Sequence, residues 1–154
     1  MDPQVFIDLA VPDLPGKVQE YADSGWRFVN LCGSTVEDGV ELIYSFSNGE
    51  PFENLRLIAG PDDDIPSISD LYFNSFVFEN EVHALFGTRI TGIVIDFGDS
   101  FYATSVPTPM NPASLDARAS FTIRSRSATR DRDGDVLASS SSESKEATSA
   151  NQKT

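Results

Sequence analysis

A single histidine and a single cysteine limit the catalytic chemistry available to this 154-residue chain. Any Ser–His or Cys–His pair must include His83, and Cys32 is the only thiol that could accompany it. A Cys32–His83 enzyme is therefore one hypothesis; the alternative is that Cys32 is a small buried apolar residue. The sequence contains no nucleophile elbow, no glycine-rich phosphate loop and no Cys/His cluster. These observations favour a binding or structural protein over a free-standing enzyme.

Carboxylates are the commonest chemically active side chains in the second half of the domain. Glu79 and His83 are four positions apart on a predicted helix, a spacing that suits an ion pair or half of a metal site. Glu79 and Glu81 point about 200° apart on that helix and cannot share a proton. We interpret these residues as a polar helix face that meets solvent or a partner.

The charge of the chain is divided very unevenly. Residues 1–106 hold 18 acidic and four basic side chains, whereas residues 107–154 hold six acidic and seven basic ones. Fifteen of the 16 aromatic residues also lie before residue 107. This predicts a folded domain over 1–106 and a disordered Ser/Pro-rich tail over 107–154, because the tail has little apolar surface to bury. Because this domain is strongly acidic, it repels the phosphates of nucleic acids, and we expect no nucleic-acid partner.

Hydrophobic periodicity predicts an α+β domain: a helix, a three-stranded antiparallel meander, a second helix and a β-hairpin. The first helix is predicted over 13–24, with Asp13 as its N-cap and Gly25 at its end. The three strands are predicted over 26–31, 40–47 and 54–59.

The second helix and the hairpin complete the predicted fold. The helix covers residues 75–86, where Phe78, Val82, Leu85 and Phe86 share one face before Gly87. The hairpin covers 92–104 and turns at 98–99. Ahead of the helix, Ser67 and Asp70 have the spacing of a capping box.

The sequence contains no apolar run long enough to cross a bilayer. The first residues, MDPQVFIDLAVPD, lack the basic start and long apolar stretch of a secretory signal. We therefore expect a cytoplasmic protein without direct membrane insertion.

The stretch over residues 66–97 resembles the hallmark region of the complex I thirty-kilodalton subunit family. That family carries P-S-[IL]-[ST]-D-[IL]-Y, which here is PSISDLY over 66–72. It then carries E-R-E-x-Y-D-[LM]-F-G-I, which here is ENEVHALFGT over 79–88. The resemblance extends over about residues 14–103.

The departures from the family pattern point to one of its branches. Asn80 stands for the usual arginine and His83 for an aromatic residue, and GIVIDF follows at 92–97. These features resemble the short version of the subunit found in Ech-type energy-converting nickel–iron hydrogenases. Ala84 replaces an acid expected in both branches.

The resemblance implies a cofactor-free accessory subunit that docks on a catalytic large subunit, beside an iron–sulfur small subunit. The iron–sulfur clusters and the nickel–iron centre are expected on those partners, which would hold this chain peripherally at the cytoplasmic side of the membrane. The expected partner-interface residues are Ser67, Asp70, Glu79, Asn80, Glu81 and His83. The motif residues expected to be structural are Pro66, Tyr72, Leu85, Phe86 and Gly87. The alternative function is a free-standing acidic adaptor or protein-binding domain.

Overall fold

The computed structural model describes residues 4–49, 52–111 and 114. Their elements, in chain order, are β1 (Val5–Asp8), a 3₁₀ turn (Val11–Asp13), α1 (Leu14–Asp23), β2 (Arg27–Val36), β3 (Gly39–Ser47), β4 (Phe52–Ala59), β5 (Asp64–Pro66), α2 (Ser75–Phe86), β6 (Arg89–Thr91) and a 3₁₀ turn (Gly98–Ser100). The first four strands form one mixed sheet in the order β1-β4-β3-β2, and β5 and β6 form a separate parallel pair. The α+β class is confirmed.

The predicted antiparallel meander is formed by β2, β3 and β4. Its first hairpin is longer than predicted, because the β2–β3 ladder continues to Val36 and leaves a two-residue turn before Gly39. Gly39 has a φ of +148°, and a Cβ built there would lie 2.2 Å from the carbonyl oxygen of Ala59. The tight approach of β3 to β4 therefore requires glycine at this position.

Strand β1 was not predicted from the sequence. It pairs in parallel with β4, in register from Val5 opposite Glu53 to Asp8 opposite Arg56. This pairing adds a fourth strand to the edge of the predicted meander, and Asp8 Oδ1 accepts a 2.6 Å charged hydrogen bond from Arg56 Nε across it. Because β1 has only four residues and its partner lies almost 50 positions away, local periodicity does not reveal it.

The hydrophobic core lies between the sheet and the two helices. Helix α1 buries Leu14, Val18 and Tyr21, as its periodicity predicts. Asp13 occupies the predicted N-cap position of α1, but its side chain makes no capping hydrogen bond, because Asp13 also ends the preceding 3₁₀ turn. The sheet residues buried against the helices are Phe28, Leu31, Val40, Leu42, Tyr44, Phe46, Leu55, Leu57 and Ala59.

Helix α2 has the predicted bounds and ends at Gly87, which is left-handed with a φ of +75°. Val82 is buried, and Phe78 and Phe86 pack against the core while remaining partly exposed. The ring of Phe86 lies so close to β2 that a Cβ on Gly33 would be 2.8 Å from it. A bare backbone at Gly33 therefore allows α2 to pack on this strand.

The predicted β-hairpin over 92–104 is wrong. Within this range the structure has irregular backbone and the 3₁₀ turn over Gly98–Ser100. The side chain of Asn80 binds the carbonyl oxygen of Ile95 and the amide of Phe97, which are groups that a strand ladder would use. A side chain from α2 thus takes the place of the expected partner strand.

Most of the predicted tail, residues 112, 113 and 115–154, lies outside the described residues. The part that is described, 107–111, contacts the end of α2. Met110 N donates to the carbonyl oxygen of Leu85 at 2.8 Å, and Asn111 Nδ2 donates to that of Phe86 at 2.9 Å. In the described part of the chain, no helix is long and apolar enough to cross a bilayer.

Candidate interaction site around helix α2

Glu79 lies on the buried face of α2 with no solvent exposure. Its Oε2 accepts a 2.6 Å hydrogen bond from Ser67 Oγ, and its Oε1 accepts a 2.8 Å hydrogen bond from the backbone N of Ile68. Burial raises the pKa of Glu79 above its ordinary value of 4.5, while these two hydrogen bonds oppose that rise. The carboxyl group therefore anchors the segment that follows β5.

Two serines extend this hydrogen-bonded chain to a second segment. Ser67 and Ser69 have their Oγ atoms 2.6 Å apart, and Ser69 Oγ accepts a 3.0 Å hydrogen bond from Val94 N. When Glu79 is ionised, Ser67 must donate to it, so Ser69 donates to Ser67 and accepts from Val94. Each hydroxyl thus has a defined role, and the segment over 67–69 is linked to the segment over 92–97.

Asn80 is also fully buried, and its amide is well satisfied. Nδ2 donates to the carbonyl oxygens of Phe76 at 2.7 Å and Ile95 at 2.8 Å, while Oδ1 accepts from Phe97 N at 2.8 Å.

We call Ser67, Ser69, Glu79 and Asn80 the polar clamp. It fixes two irregular segments, one on each side of α2 in sequence, to the helix.

Two residues of the predicted partner interface, Glu79 and Asn80, belong to the polar clamp and are buried inside the domain. The side chains of Glu79 and Asn80 hold the chain's own backbone in this structure, so they are not displayed for a partner. The resemblance implies that both residues contact a partner, and helical periodicity places polar residues at the surface by default, whereas both side chains are buried in this structure. Ser67 does not form the predicted capping box with Asp70 either, because its Oγ accepts from Ser69 N at 3.1 Å.

The remaining predicted interface residues are accessible. Asp70 is exposed, and Glu81 and His83 are half-buried. His83 Nδ1 lies 2.8 Å from the carbonyl oxygen of Thr88 and therefore carries a hydrogen, since a carbonyl can only accept. Its Nε2 lies 3.6 Å from Asp99 Oδ1. A partner contact by Asp70, Glu81 or His83 stays a prediction.

The structure separates Cys32 from His83. Gly33 faces Phe86 of α2, so Cys32, one residue earlier on β2, points to the opposite face of the sheet. Cys32 is exposed there rather than buried, with Asn30 Nδ2 3.6 Å from its Sγ. Because the sheet lies between them, the hypothesis of a Cys32–His83 catalytic pair is wrong for this structure.

The motif residues expected to be structural lie at the ends of β5 and α2 and in the segment between them. Tyr72 donates from its hydroxyl to the carbonyl oxygen of Trp26 at 2.9 Å, and its ring lies 5.4 Å from that of Phe46. Pro66 is the last residue of β5, and Leu85, Phe86 and Gly87 form the end of α2. The first motif is thereby packed on the core through Tyr72.

An aromatic strip of five side chains runs along the surface beside the polar clamp: Phe73, Phe76, Phe97, Phe101 and Tyr102. Successive ring centroids along it are 5.1, 6.5, 5.6 and 4.8 Å apart. Phe73 is 62% exposed and Phe97 46% exposed. Hydrophobic periodicity does not reveal this strip, and the only signal in the sequence is the density of aromatic residues over 73–76 and 97–102.

Acidic side chains accompany the aromatic strip. Tyr102 donates from its hydroxyl to Glu81 Oε1 at 2.9 Å, and this contact raises the pKa of Tyr102. Asp96 and Asp99 flank Phe97 in sequence and are exposed, as is Asp70 ahead of the helix. The only Lys or Arg over 66–106 is Arg89, whose Nη2 pairs with Asp64 Oδ1 at 2.8 Å. The strip therefore has an acidic rim.

Among the described residues, no three His, Cys, Asp or Glu side chains converge in a way that could hold a metal ion.

Comparison with known proteins rests on the fold. No protein-family model matches the sequence, and no curated protein sequence matches it either. Among solved structures, the fold is similar to a chain of the membrane-bound sulfane sulfur reductase (MBS), an archaeal respiratory membrane complex. The TM-score is 0.60 with 13% sequence identity, and the match covers 73% of this chain and 70% of that chain. This similarity shows that the two chains share a fold.

Proposed function

We propose that this chain is a cofactor-free accessory subunit of a membrane-associated, complex I-like oxidoreductase and docks on its catalytic large subunit. The observation that carries this proposal is the fold similarity to a chain of an archaeal respiratory membrane complex. It is supported by the PSISDLY and ENEVHALFGT segments, which resemble the two motifs of the complex I thirty-kilodalton subunit family.

Within that class, an energy-converting nickel–iron hydrogenase is the specific proposal. It is supported by Asn80, His83 and GIVIDF at 92–97, which resemble the short subunit of Ech-type enzymes. In such a complex, iron–sulfur clusters and a nickel–iron centre on the large and small subunits carry the electrons. This chain would support electron transfer coupled to ion translocation from the cytoplasmic side, held there by its partners.

The arrangement around α2 supports a docking role. The motif residues Ser67, Glu79 and Asn80 are used to fix two surface segments, and the aromatic strip and its acidic rim lie on and beside those segments. Aromatic residues are enriched at protein–protein interfaces, so a fixed aromatic surface is what a docking role needs. The motif residues thus support docking by holding the surface segments that carry the aromatic strip.

Purification of the tagged protein from solubilised membranes of its native host tests the proposal. We expect co-purification of large and small oxidoreductase subunits, with both nickel and iron by metal analysis. Iron without nickel, together with quinone-linked subunits, would retain the complex I-like class and overturn the hydrogenase branch. Recovery of the chain as a lone soluble monomer would overturn the subunit proposal.

The second candidate is a free-standing acidic adaptor. The net charge of −13 favours it, because such a charge supports binding to a basic protein outside any membrane complex. Co-purification from the soluble fraction with basic proteins, and with no oxidoreductase subunits, is the result expected for the adaptor.

A further inference from the structure

We infer that the aromatic strip is the docking surface of this chain, and that its occupant is a protein with an apolar groove bordered by Lys and Arg. Identification of that protein as the catalytic large subunit rests on the proposed function. The choice of surface and the chemistry of the partner rest on the contacts around α2 and on the distribution of charge.

The strip combines large apolar area with solvent exposure. Phe73, Phe97 and Tyr102 are each more than 40% exposed, and Phe76 and Phe101 connect them into a continuous row of ring contacts. A contiguous exposed apolar patch of this kind marks an interaction site, whereas single exposed apolar residues are ordinary. Aromatic rings also lose little conformational entropy on binding for the area that they bury.

The strip is held in place before any partner arrives. Phe97 is fixed by the hydrogen bond from its backbone N to Asn80 Oδ1, and Phe76 lies on α2 itself. The backbone N of Val94 is bound to Ser69, which connects the same segment to Glu79 through Ser67. A preorganised surface avoids part of the ordering cost of association. The polar clamp is therefore the scaffold of the docking surface.

Charge indicates what kind of protein fits the strip. Glu81 contacts Tyr102, and the exposed Asp70, Asp96 and Asp99 lie within three residues of Phe73 or Phe97 in sequence; we take these four acids as the rim. The one cation in the surrounding sequence, Arg89, is already paired with Asp64. Complementary charges at the edge of an interface accelerate association and fix register. Lys and Arg at the edge of the partner's groove are the matching groups.

The same rim argues against a second copy of this chain as the occupant. In a two-fold symmetric contact through the strip, each acidic rim would face another acidic rim or the aromatic rings themselves. Like charges brought together at an interface are strongly unfavourable. A basic partner removes this repulsion, whereas another copy of the domain adds to it.

The first test compares two double variants of the full chain, expressed in the native host. Phe73→Ser with Phe97→Ser removes the two most exposed phenylalanines of the strip. The matched control is Phe6→Ser with Ile58→Ser, which removes side chains that are 48% and 50% exposed on the uncovered face of the sheet. The free energy of unfolding of each purified variant confirms that it is folded.

We expect the strip variant to recover at least roughly tenfold less of the partner subunits than wild type, because buried aromatic anchors dominate binding energy. The control is expected to recover wild-type amounts. If wild type and both variants recover the oxidoreductase subunits equally, the strip inference is overturned and the proposed function stands. If wild type recovers none of those subunits, the proposed function is overturned.

The second test examines the rim and the occupant. Asp70→Lys with Asp99→Lys is expected to lower the association rate and weaken its dependence on salt, compared with Glu37→Lys with Asp62→Lys elsewhere on the surface. A photo-crosslinking phenylalanine at position 73 then identifies the occupant. A cross-link to the large subunit supports the inference. A cross-link to a second copy, or to residues 115–154 of this chain, overturns it.

Discussion

Ser67 Oγ donates a 2.6 Å hydrogen bond to Glu79 Oε2, so the first motif of the chain is bound directly to the second. The two residues are 12 positions apart, and the helix start and the packed ring of Tyr72 lie between them. The separation of the motifs thus has a structural consequence, because it places Ser67 within hydrogen-bonding distance of the buried carboxyl group of α2.

Removal of the Glu79 side chain is expected to destabilise the fold. Glu79→Ala leaves the hydroxyl of Ser67 and the backbone N of Ile68 without their acceptor in a buried site. Buried donors without partners cost about 1–3 kcal/mol each, so we expect a loss of at least about 2 kcal/mol in the free energy of unfolding. Urea denaturation measures it. Glu81→Ala, which removes a half-buried acid from the same helix, is the control and should cost less than about 1 kcal/mol.

The ionisation of Glu79 gives the stability a specific dependence on pH. Burial raises the pKa of Glu79 in the folded protein above the ordinary value of 4.5, so the folded state retains the proton to higher pH than the unfolded state. Stability from this group is therefore lost as pH rises from about 4.5 through the raised folded pKa, and is constant above it. The difference in free energy of unfolding between wild type and Glu79→Gln should fall over that window. A difference that is flat or rises with pH would contradict the raised pKa and would mean that the hydrogen bonds to the carboxylate outweigh the effect of its burial.

Loss of the Asn80 amide should release the segment over 95–97. Asn80→Ala removes the hydrogen bonds to Ile95 O and Phe97 N, and we expect a loss of about 2–3 kcal/mol together with faster hydrogen exchange at Phe97 N. Asn74→Ala is the matched control, because Asn74 is exposed at the start of α2 and makes no side-chain capping bond. Unchanged exchange at Phe97 N in Asn80→Ala would show that the clamp does not hold this segment.

The close approach of Gly33 and Phe86 predicts a coupled pair. Gly33→Ala places a Cβ 2.8 Å from the Phe86 ring, and we expect a cost of about 1–3 kcal/mol from overpacking. In Gly33→Ala with Phe86→Leu, the smaller side chain makes room for the new methyl group. A double-mutant cycle by urea denaturation should therefore give a favourable coupling of at least about 0.5 kcal/mol. Additive effects would indicate that the ring moves aside without cost.

The elements that local sequence determines were predictable. Helix α2 has the predicted bounds because Phe78 and Val82 repeat with helical spacing and Gly87 ends the helix in a left-handed conformation. The meander was predictable because its strands are neighbours in sequence and joined by short turns. These features depend on residues within a few positions of one another.

The predictions that were wrong concern features that depend on contacts between residues distant in sequence. Ile93, Ile95 and Phe97 alternate like a strand, but the side chain of Asn80 binds the backbone that a partner strand would use. The burial of Glu79 follows from donors at 67 and 68, which helical periodicity does not consider. Strand β1 depends in the same way on β4. Two predicted interface residues were consequently found inside the domain, while the aromatic strip lies outside.

The end of the domain can be placed by truncation. Met110 N and Asn111 Nδ2 donate to the carbonyl oxygens of Leu85 and Phe86, which are among the last carbonyls of α2 and have no partner within the helix. A chain ending at 106 lacks both donors, and a chain ending at 114 retains them. We expect the shorter chain to be less stable by about 1–3 kcal/mol in urea denaturation, since each lost hydrogen bond contributes about 1 kcal/mol. Equal stabilities would place the end of the domain at 106, as composition alone predicts, and would mean that water replaces these two contacts without loss.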